Sequence, residues 1–287
     1  MGTKNRKSQL LWGVGSLLII AYALVPVLWI LSLSFKAGDD INNTQFLPTP
    51  LTIDGWDPAS LSLDNYATVL SSDLFLTALR NSVGISLIAT SISVVAATLA
   101  AYAVARLEFP GKRVLLGVAL MITVFPIIAI ATPLFDLWRV IGLYDTWPGL
   151  IIPYLSFSIP LSVYVLSAFF REIPWEMEQA AQVDGATSWQ AFRRVIVPLA
   201  APGVFTAAIL TFFMIWNDFI FGITLTSSEA ARPVPAALAF FSGASSFEQP
   251  TASIAAASVL VTIPVIILVL AFQQKIVAGL TNGAVKG

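Results

Sequence analysis

Charged residues are rare along the chain, and the gaps between them are long and apolar. Uncharged runs separate Lys7 from Lys36, Arg80 from Arg106, Arg113 from Asp136, Asp145 from Arg171, Arg194 from Asp218, and Glu248 from Lys275. Each run holds 22 to 28 residues. A helix needs about 20 apolar residues to cross a hydrocarbon core of roughly 30 Å. In lipid, only helices and closed barrels satisfy their backbone groups. Runs such as Leu17–Val27 and Val259–Leu270 lack the alternation of a barrel strand. The pattern predicts an all-α membrane protein with six transmembrane helices. They lie at about 9–35, 81–105, 114–135, 149–170, 203–225 and 252–274, within a single transmembrane domain covering 1–287.

The basic residues orient these spans. With a cytoplasmic N-terminus, the inside segments carry 11 of the 15 Lys and Arg, and the outside segments carry only Lys36, Arg80, Arg139 and Arg232. Both termini are then expected in the cytoplasm. The first run is too long for a signal-peptide core and no A-x-A-like site follows it, so it reads as an uncleaved helix. Outside, Lys36–Leu79 is long and acidic, Phe135–Pro148 is short and amphipathic, and Thr226–Pro250 is polar. Inside, residues 171–198 form the one substantial loop. Neither an internal repeat nor a broken span is evident. Val277–Gly287 reads as too polar and glycine-rich to extend the sixth span.

Composition sharpens the class. Hydrophobic residues make up 57 % of the 287 positions and charged residues 11 %, with a mean hydropathy of +0.84. A soluble domain is about a quarter charged. Without Cys there is no disulfide, Fe–S cluster or thiolate metal site, and without His no Ser-His-Asp triad or HExxH zinc site. A net charge of −1 speaks against a nucleic-acid partner. No P-loop of the form GxxxxGK[ST] is present, so ATP hydrolysis is not expected of this chain. No nucleophile, base and orienting group stand together, and no catalytic residue is assigned.

The inner loop has local signals of its own. Pro174 suits the first turn of a helix, Trp175–Asp184 is rich in helix formers, and Gly185 is placed to stop it in a left-handed conformation. Thr187 and Gln190 have the spacing of a capping box for a second helix. There Trp189, Phe192 and Ile196 recur at helical intervals before Pro198 and Pro202.

The string Glu178-Gln-Ala-Ala-Gln-Val-Asp-Gly-Ala186, continuing through Phe192, Pro198 and Pro202, resembles the EAA loop of ABC-importer permeases. Ala180, Ala181, Asp184, Gly185, Ala186 and Phe192 fall on the family pattern. The family glutamate aligns with Gln179, and Glu178 stands one position earlier. Trp216-Asn217-Asp218 and the ending Gly279–Gly287 resemble the MalG-like carbohydrate branch. Tyr102–Arg113, Asp145–Leu150 and Ser167–Trp175 resemble its trehalose-importing members. The resemblance implies a sugar permease working by alternating access, with Glu178, Gln179, Ala180, Ala181, Asp184, Gly185, Ala186 and Phe192 coupling it to ATPase subunits. It implies as partners a second homologous permease, two cytoplasmic ATPase subunits that bind ATP and Mg, and an extracytoplasmic sugar-binding protein. Ser245, Phe247, Glu248 and Gln249 would contact that binding protein, and the C-terminal tail would thread between the ATPase subunits. The chain itself would carry no cofactor and no metal.

Two readings fit Trp216, Asn217 and Asp218 near the outer end of the fifth span. They either line the outer end of a sugar pathway, or they form an interfacial aromatic and the start of a loop. Asn81, Ser82, Thr90, Ser91 and Ser93 suit helix packing or capping, and the small face of Ala96, Ala97, Ala100 and Ala101 suits close helix contact. An ion-coupled transporter of a small polar solute is the competing class. Such proteins often carry intramembrane carboxylates or basic residues, and the span cores here have none apart from Asp218.

Overall fold

The structure, a computed structural model, describes residues 6–36, 62–241 and 251–284, with side chains for 12–36, 62–241 and 251–272. Every regular element among the described residues is helical. In chain order these are α1 (Arg6–Ser34), α2 (Asp64–Leu70), α3 (Asp73–Arg106), α4 (Lys112–Val124) and α5 (Ile127–Ile141). There follow α6 (Trp147–Glu172), α7 (Trp175–Val183), α8 (Ser188–Ala191), a π-type segment (Phe192–Ile196) and α9 (Val197–Leu199). The chain continues with α10 (Ala201–Trp216), α11 (Ile220–Leu225), α12 (Val234–Leu238) and α13 (Thr251–Ala284). Parts of α1, α3, α6 and α13 are long and apolar enough to cross a bilayer, and two bent helix pairs bring the number of spans to as many as six.

The bends correct the sequence reading. The expected span 114–135 is two helices, α4 and α5, meeting at 89°. Phe125 is extended (φ −69, ψ 137) and Pro126 opens the next helix. A proline crowds the residue before it out of the α region and supplies no N–H to the preceding turn. This stretch is therefore a broken span or a re-entrant segment, which the sequence reading did not anticipate. The expected span 203–225 stops at Trp216 and resumes only at Ile220. At the stop, Asn217 Nδ2 donates back to the Phe213 carbonyl at 2.8 Å, and Asp218 Oδ2 accepts from the Gly222 N–H at 3.1 Å. Such side chains compete with the helical ladder. Before α10, the chain bends by 72° between Leu199 and Ala201, beside Pro198 and Pro202. Contrary to expectation, α13 continues through Val277 to Ala284. Gly279 and Gly283 each cost only about 1 kcal/mol in a helix, and no proline follows to stop it.

Two compact units can be distinguished. In the first, Met1–Leu76 with Phe240–Pro264, α2 closes the end of α1. Asn65 Nδ2 donates to the carbonyls of Ser34 (3.1 Å) and Lys36 (2.8 Å), satisfying acceptors that a helix C-terminus leaves open. The Ser34 and Tyr66 hydroxyls lie 2.7 Å apart, and the Lys36 ammonium sits 5.4 Å over the Trp29 ring.

The second unit, Thr77–Ala239 with Val265–Gly287, has two apolar clusters. One joins Ile85 and Ala89 of α3, Trp138 of α5, Tyr154 and Phe157 of α6, and Phe221 of α11. The other joins Ala97 and Ala101 of α3, Leu166 and Phe170 of α6, Phe192, Ile196 and Ala207. Ala97 and Ala101 are fully buried, in line with a close-packing role. The Ser93 and Ser158 hydroxyls meet at 2.9 Å between α3 and α6. Asn81 donates to the carbonyls of Glu229 and Arg232, and the Ser82 hydroxyl accepts from the Val234 N–H at 2.7 Å, so α3 holds the segment leading into α12.

Two predictions arise here. The Gly149 N–H donates to the Thr146 hydroxyl that caps α6, and a Cβ at Gly149 would stand 2.0 Å from the Leu143 carbonyl oxygen. The obstacle is backbone and cannot rotate away. Gly149→Ala is expected to destabilise this corner by about 1–3 kcal/mol, read as a lowered unfolding temperature of purified protein in detergent.

Asp145, between α5 and α6, takes a positive φ of 60°. Its carboxylate accepts the N–H and hydroxyl of both Ser227 and Ser228, the shortest at 2.5 Å from Ser228 Oγ. Partial burial pushes its pKa up, but those hydrogen bonds outweigh burial and hold it below the usual carboxylate value. The unfolded chain thus takes up the proton first as pH falls. The tie contributes fully above the unfolded pKa of about 3.9 and is lost as pH drops through the lower folded value. Amide exchange at Ser227 and Ser228, corrected for intrinsic rate, should stay protected at pH 5 and lose protection only below about 4. Equal protection in an Asp145→Asn variant at pH 5 would show that it does not depend on Asp145 ionisation.

Candidate functional site

The 171–198 loop folds from signals in its own sequence. Pro174 is the N-cap of α7, one position before the first turn where it was expected. Glu176 and Glu178 lie in that first turn, where carboxylates oppose the helix dipole. At the other end Gly185 adopts φ +88. The Gly185 N–H bonds to the Gln182 carbonyl and the Ala186 N–H to the Ala181 carbonyl, each at 3.0 Å. This is the paired closure of a Schellman turn, which calls for a left-handed residue. Thr187 then caps α8 reciprocally with Gln190: the Thr187 hydroxyl accepts the Gln190 backbone N–H, and the Gln190 side-chain Oε1 accepts the Thr187 N–H.

The expected coupling residues divide into two faces. Gln179, Ala180, Asp184 and Gly185 are exposed, while Ala181 and Ala186 are half-buried. Glu178 and Phe192 are buried. Glu178 Oε1 accepts the Tyr102 hydroxyl at 2.5 Å. The Tyr102 ring lies 4.6 Å from Phe192 and 6.2 Å from Phe170. Beside it, Arg106 donates to the Ile173 carbonyl at 2.6 Å and stacks 4.6 Å from the Trp175 ring. Glu178 and Phe192 therefore fasten the loop to the end of α3 rather than presenting themselves outward. The exposed amide is that of Gln179.

Trp216, Asn217 and Asp218 point in three directions. The Trp216 indole is buried and stacked on Phe212 at 5.3 Å, which leaves it no free face for a sugar ring. Asn217 is exposed. Asp218 Oδ2 also accepts the Tyr154 hydroxyl at 2.9 Å. The adjoining cavity, lined by Ile127, Tyr154, Phe157, Met214, Ile215, Asp218 and Phe221, is about 30 Å³, room for a water or two. Ser245, Phe247, Glu248 and Gln249 lie outside the described residues.

Residues 93–281 match the family model for the binding-protein-dependent transport system inner membrane component. The chain belongs to that family. Its relatives include the trehalose transport system permease protein SugB of Mycobacterium tuberculosis, 56 % identical over 96 % of this chain and 97 % of that protein. The trehalose/maltose transport system permease protein MalG of Thermococcus litoralis is 36 % identical over 96 % of this chain and 95 % of that one. The fold is shared with a bacterial ABC transporter crystal structure involved in alginate import (TM-score 0.78, 24 % identity, covering 96 % of this chain and 99 % of that chain). The protein is thus a multi-pass inner-membrane permease subunit of an ABC importer and not an enzyme.

Sequence reasoning on this permease missed Tyr102, Arg106, Tyr154 and Trp175 as partners of the candidate residues. Tyr102 lies 76 positions from Glu178, and Tyr154 lies 64 from Asp218. No local spacing encodes such pairs. The one local signal was that Glu178 stands one position before the place of the family glutamate.

Proposed function

We propose that this permease forms half of the translocation pathway of an importer for a sugar, trehalose, operating by alternating access. The observation that carries the substrate is the 56 % identity to the trehalose permease, sustained over 96 % of the chain. The second half of the pathway would come from a homologous permease. Two cytoplasmic ATPase subunits would bind ATP and Mg and supply the energy, and an extracytoplasmic binding protein would deliver the sugar. A crystal structure of the alginate transporter in complex with its periplasmic protein is consistent with such a partner (TM-score 0.63).

In this reading the termini and the 171–198 loop face the cytoplasm, as the basic residues suggest. The exposed face of α7 and the Gly185 turn would dock on an ATPase subunit. Gln179 would replace a charge pair with a hydrogen bond, and Ala180, being small, would allow close approach. Glu178–Tyr102 and Phe192 would carry the resulting push into α3. The reading is tested by reconstituting the complete importer and measuring uptake of radiolabelled trehalose against maltose and glucose. Saturable, ATP-dependent uptake of trehalose in preference to the others is expected, and equal or greater uptake of another sugar overturns the assignment.

A further inference from the structure

The end of α3, the start of α4 and the end of α6 line an open cleft of about 190 Å³ formed by Val104, Ala105, Lys112, Leu116 and the exposed Arg113 and Arg171. Three of the six lining residues are cations. Among the described residues, the one carboxylate paired with them is Glu108, which is 2.9 Å from the Lys112 ammonium and itself 90 % exposed. Lys112 also donates to the Leu107 carbonyl at 3.2 Å. Arg113 and Arg171 have neither an ion pair nor a hydrogen bond to another side chain or carbonyl among the described residues. No acidic residue occupies the first turn of α4, so its N-terminal amides add to the positive potential.

The rest of the lining is apolar. Beyond it α4 presents Val114, Leu115 and Val118 outward, each more than half exposed. Polar and apolar requirements thus meet within one turn of α4, beside the ends of the two bilayer-length helices α3 and α6. We propose that this cleft binds the phosphate headgroup of an anionic lipid, with the acyl chains running along the exposed flank of α4. A free phosphate would satisfy the cations but would leave the apolar wall and flank uncovered. Basic pockets between transmembrane helices on the cytoplasmic side are suited to this chemistry. The inference does not depend on which sugar is carried.

The test uses the complete importer, purified and delipidated, then offered dioleoylphosphatidylglycerol or dioleoylphosphatidylcholine in mixed micelles. Retained lipid is counted by native mass spectrometry, and inorganic phosphate is the soluble probe. The unmodified complex should retain phosphatidylglycerol selectively. Each basic side chain near an anionic surface contributes about 1 kcal/mol, so Arg113→Gln with Arg171→Gln should weaken retention on the order of thirtyfold. Arg193→Gln, an exposed cation elsewhere on the loop, should leave it unchanged. Should the double variant fail to assemble, Arg171→Gln alone should weaken retention about fivefold. Equal retention by the variants and the unmodified complex overturns the proposal. So does stabilisation by inorganic phosphate equal to that by the lipid, which would make this a free-anion site. Loss of an ATPase subunit with lipid retention unchanged would assign the cations to protein docking instead.

Discussion

Gly185→Val is expected to abolish sugar uptake by the assembled importer while leaving membrane insertion intact. The turn holds Gly185 at φ +88, where a side chain collides with the following carbonyl. The penalty is roughly 1–2 kcal/mol for an ordinary residue, and a β-branched one fares worse. Among the described residues, nothing beyond its own chain neighbours lies within 4 Å of the added Cβ, so the damage acts through the backbone and not through crowding. Val can relieve the strain only by abandoning the two 3.0 Å bonds to Ala181 and Gln182, which re-aims α8 relative to α7. Asn visits the left-handed region far more readily, so Gly185→Asn should keep most uptake. Stoichiometry, ATPase activity and transport should be measured on both variants. Normal transport by Gly185→Val would reduce the loop to a connector. Equal failure by Gly185→Asn would move the cause from the backbone to contact with the docked subunit.

Tyr102→Phe should be the more damaging of two small changes at the loop's anchor. Among the described residues the Tyr102 hydroxyl is the sole donor to Glu178, whose other carboxylate oxygen is buried without a hydrogen-bond partner. Removing the donor strands a buried acceptor, and hydrogen bonds to charged groups contribute about 1.5–3 kcal/mol. If docking strength follows, transport should fall about tenfold, since 1.4 kcal/mol is a factor of ten. Glu178→Gln retains an acceptor for Tyr102 and should cost several-fold less. The unfolding temperature and trehalose uptake of the purified complex check this order. A Glu178→Gln loss as large as that of Tyr102→Phe would mean the charge itself is required.

The loop was legible because its determinants are neighbours. Pro174, Gly185 and the Thr187–Gln190 pair each act within a few residues, and each took its expected role within one position. Most apolar runs were legible because lipid demands length. Where the runs break was not. Pro133, Pro153, Pro160 and Pro264 all lie inside helices, so a proline in an apolar run does not by itself announce a right-angle bend at Pro126. The pairing of Glu178 with Tyr102 and of Asp218 with Tyr154 was hidden for another reason. It depends on which helices pack together, and hydropathy is silent about that. Asp218 shows the result: the Oδ2 of a carboxylate considered for the sugar pathway accepts from Tyr154 and from Gly222 of the helix that follows.

The right-angle break between α4 and α5 bears on what neighbours this subunit needs in the membrane. At 13 and 15 residues, neither helix reaches across the bilayer alone, given about 1.5 Å of rise per residue. The junction leaves Val124, Phe125 and Ile128 largely exposed on the chain. Irregular backbone is tolerated at membrane depth only against protein or a water-filled cavity. Those apolar side chains suit lipid, but the interrupted backbone at Phe125–Pro126 does not. An orphan copy, synthesised without its companions, would hold an unfavourable surface in the membrane until a matching subunit covered it.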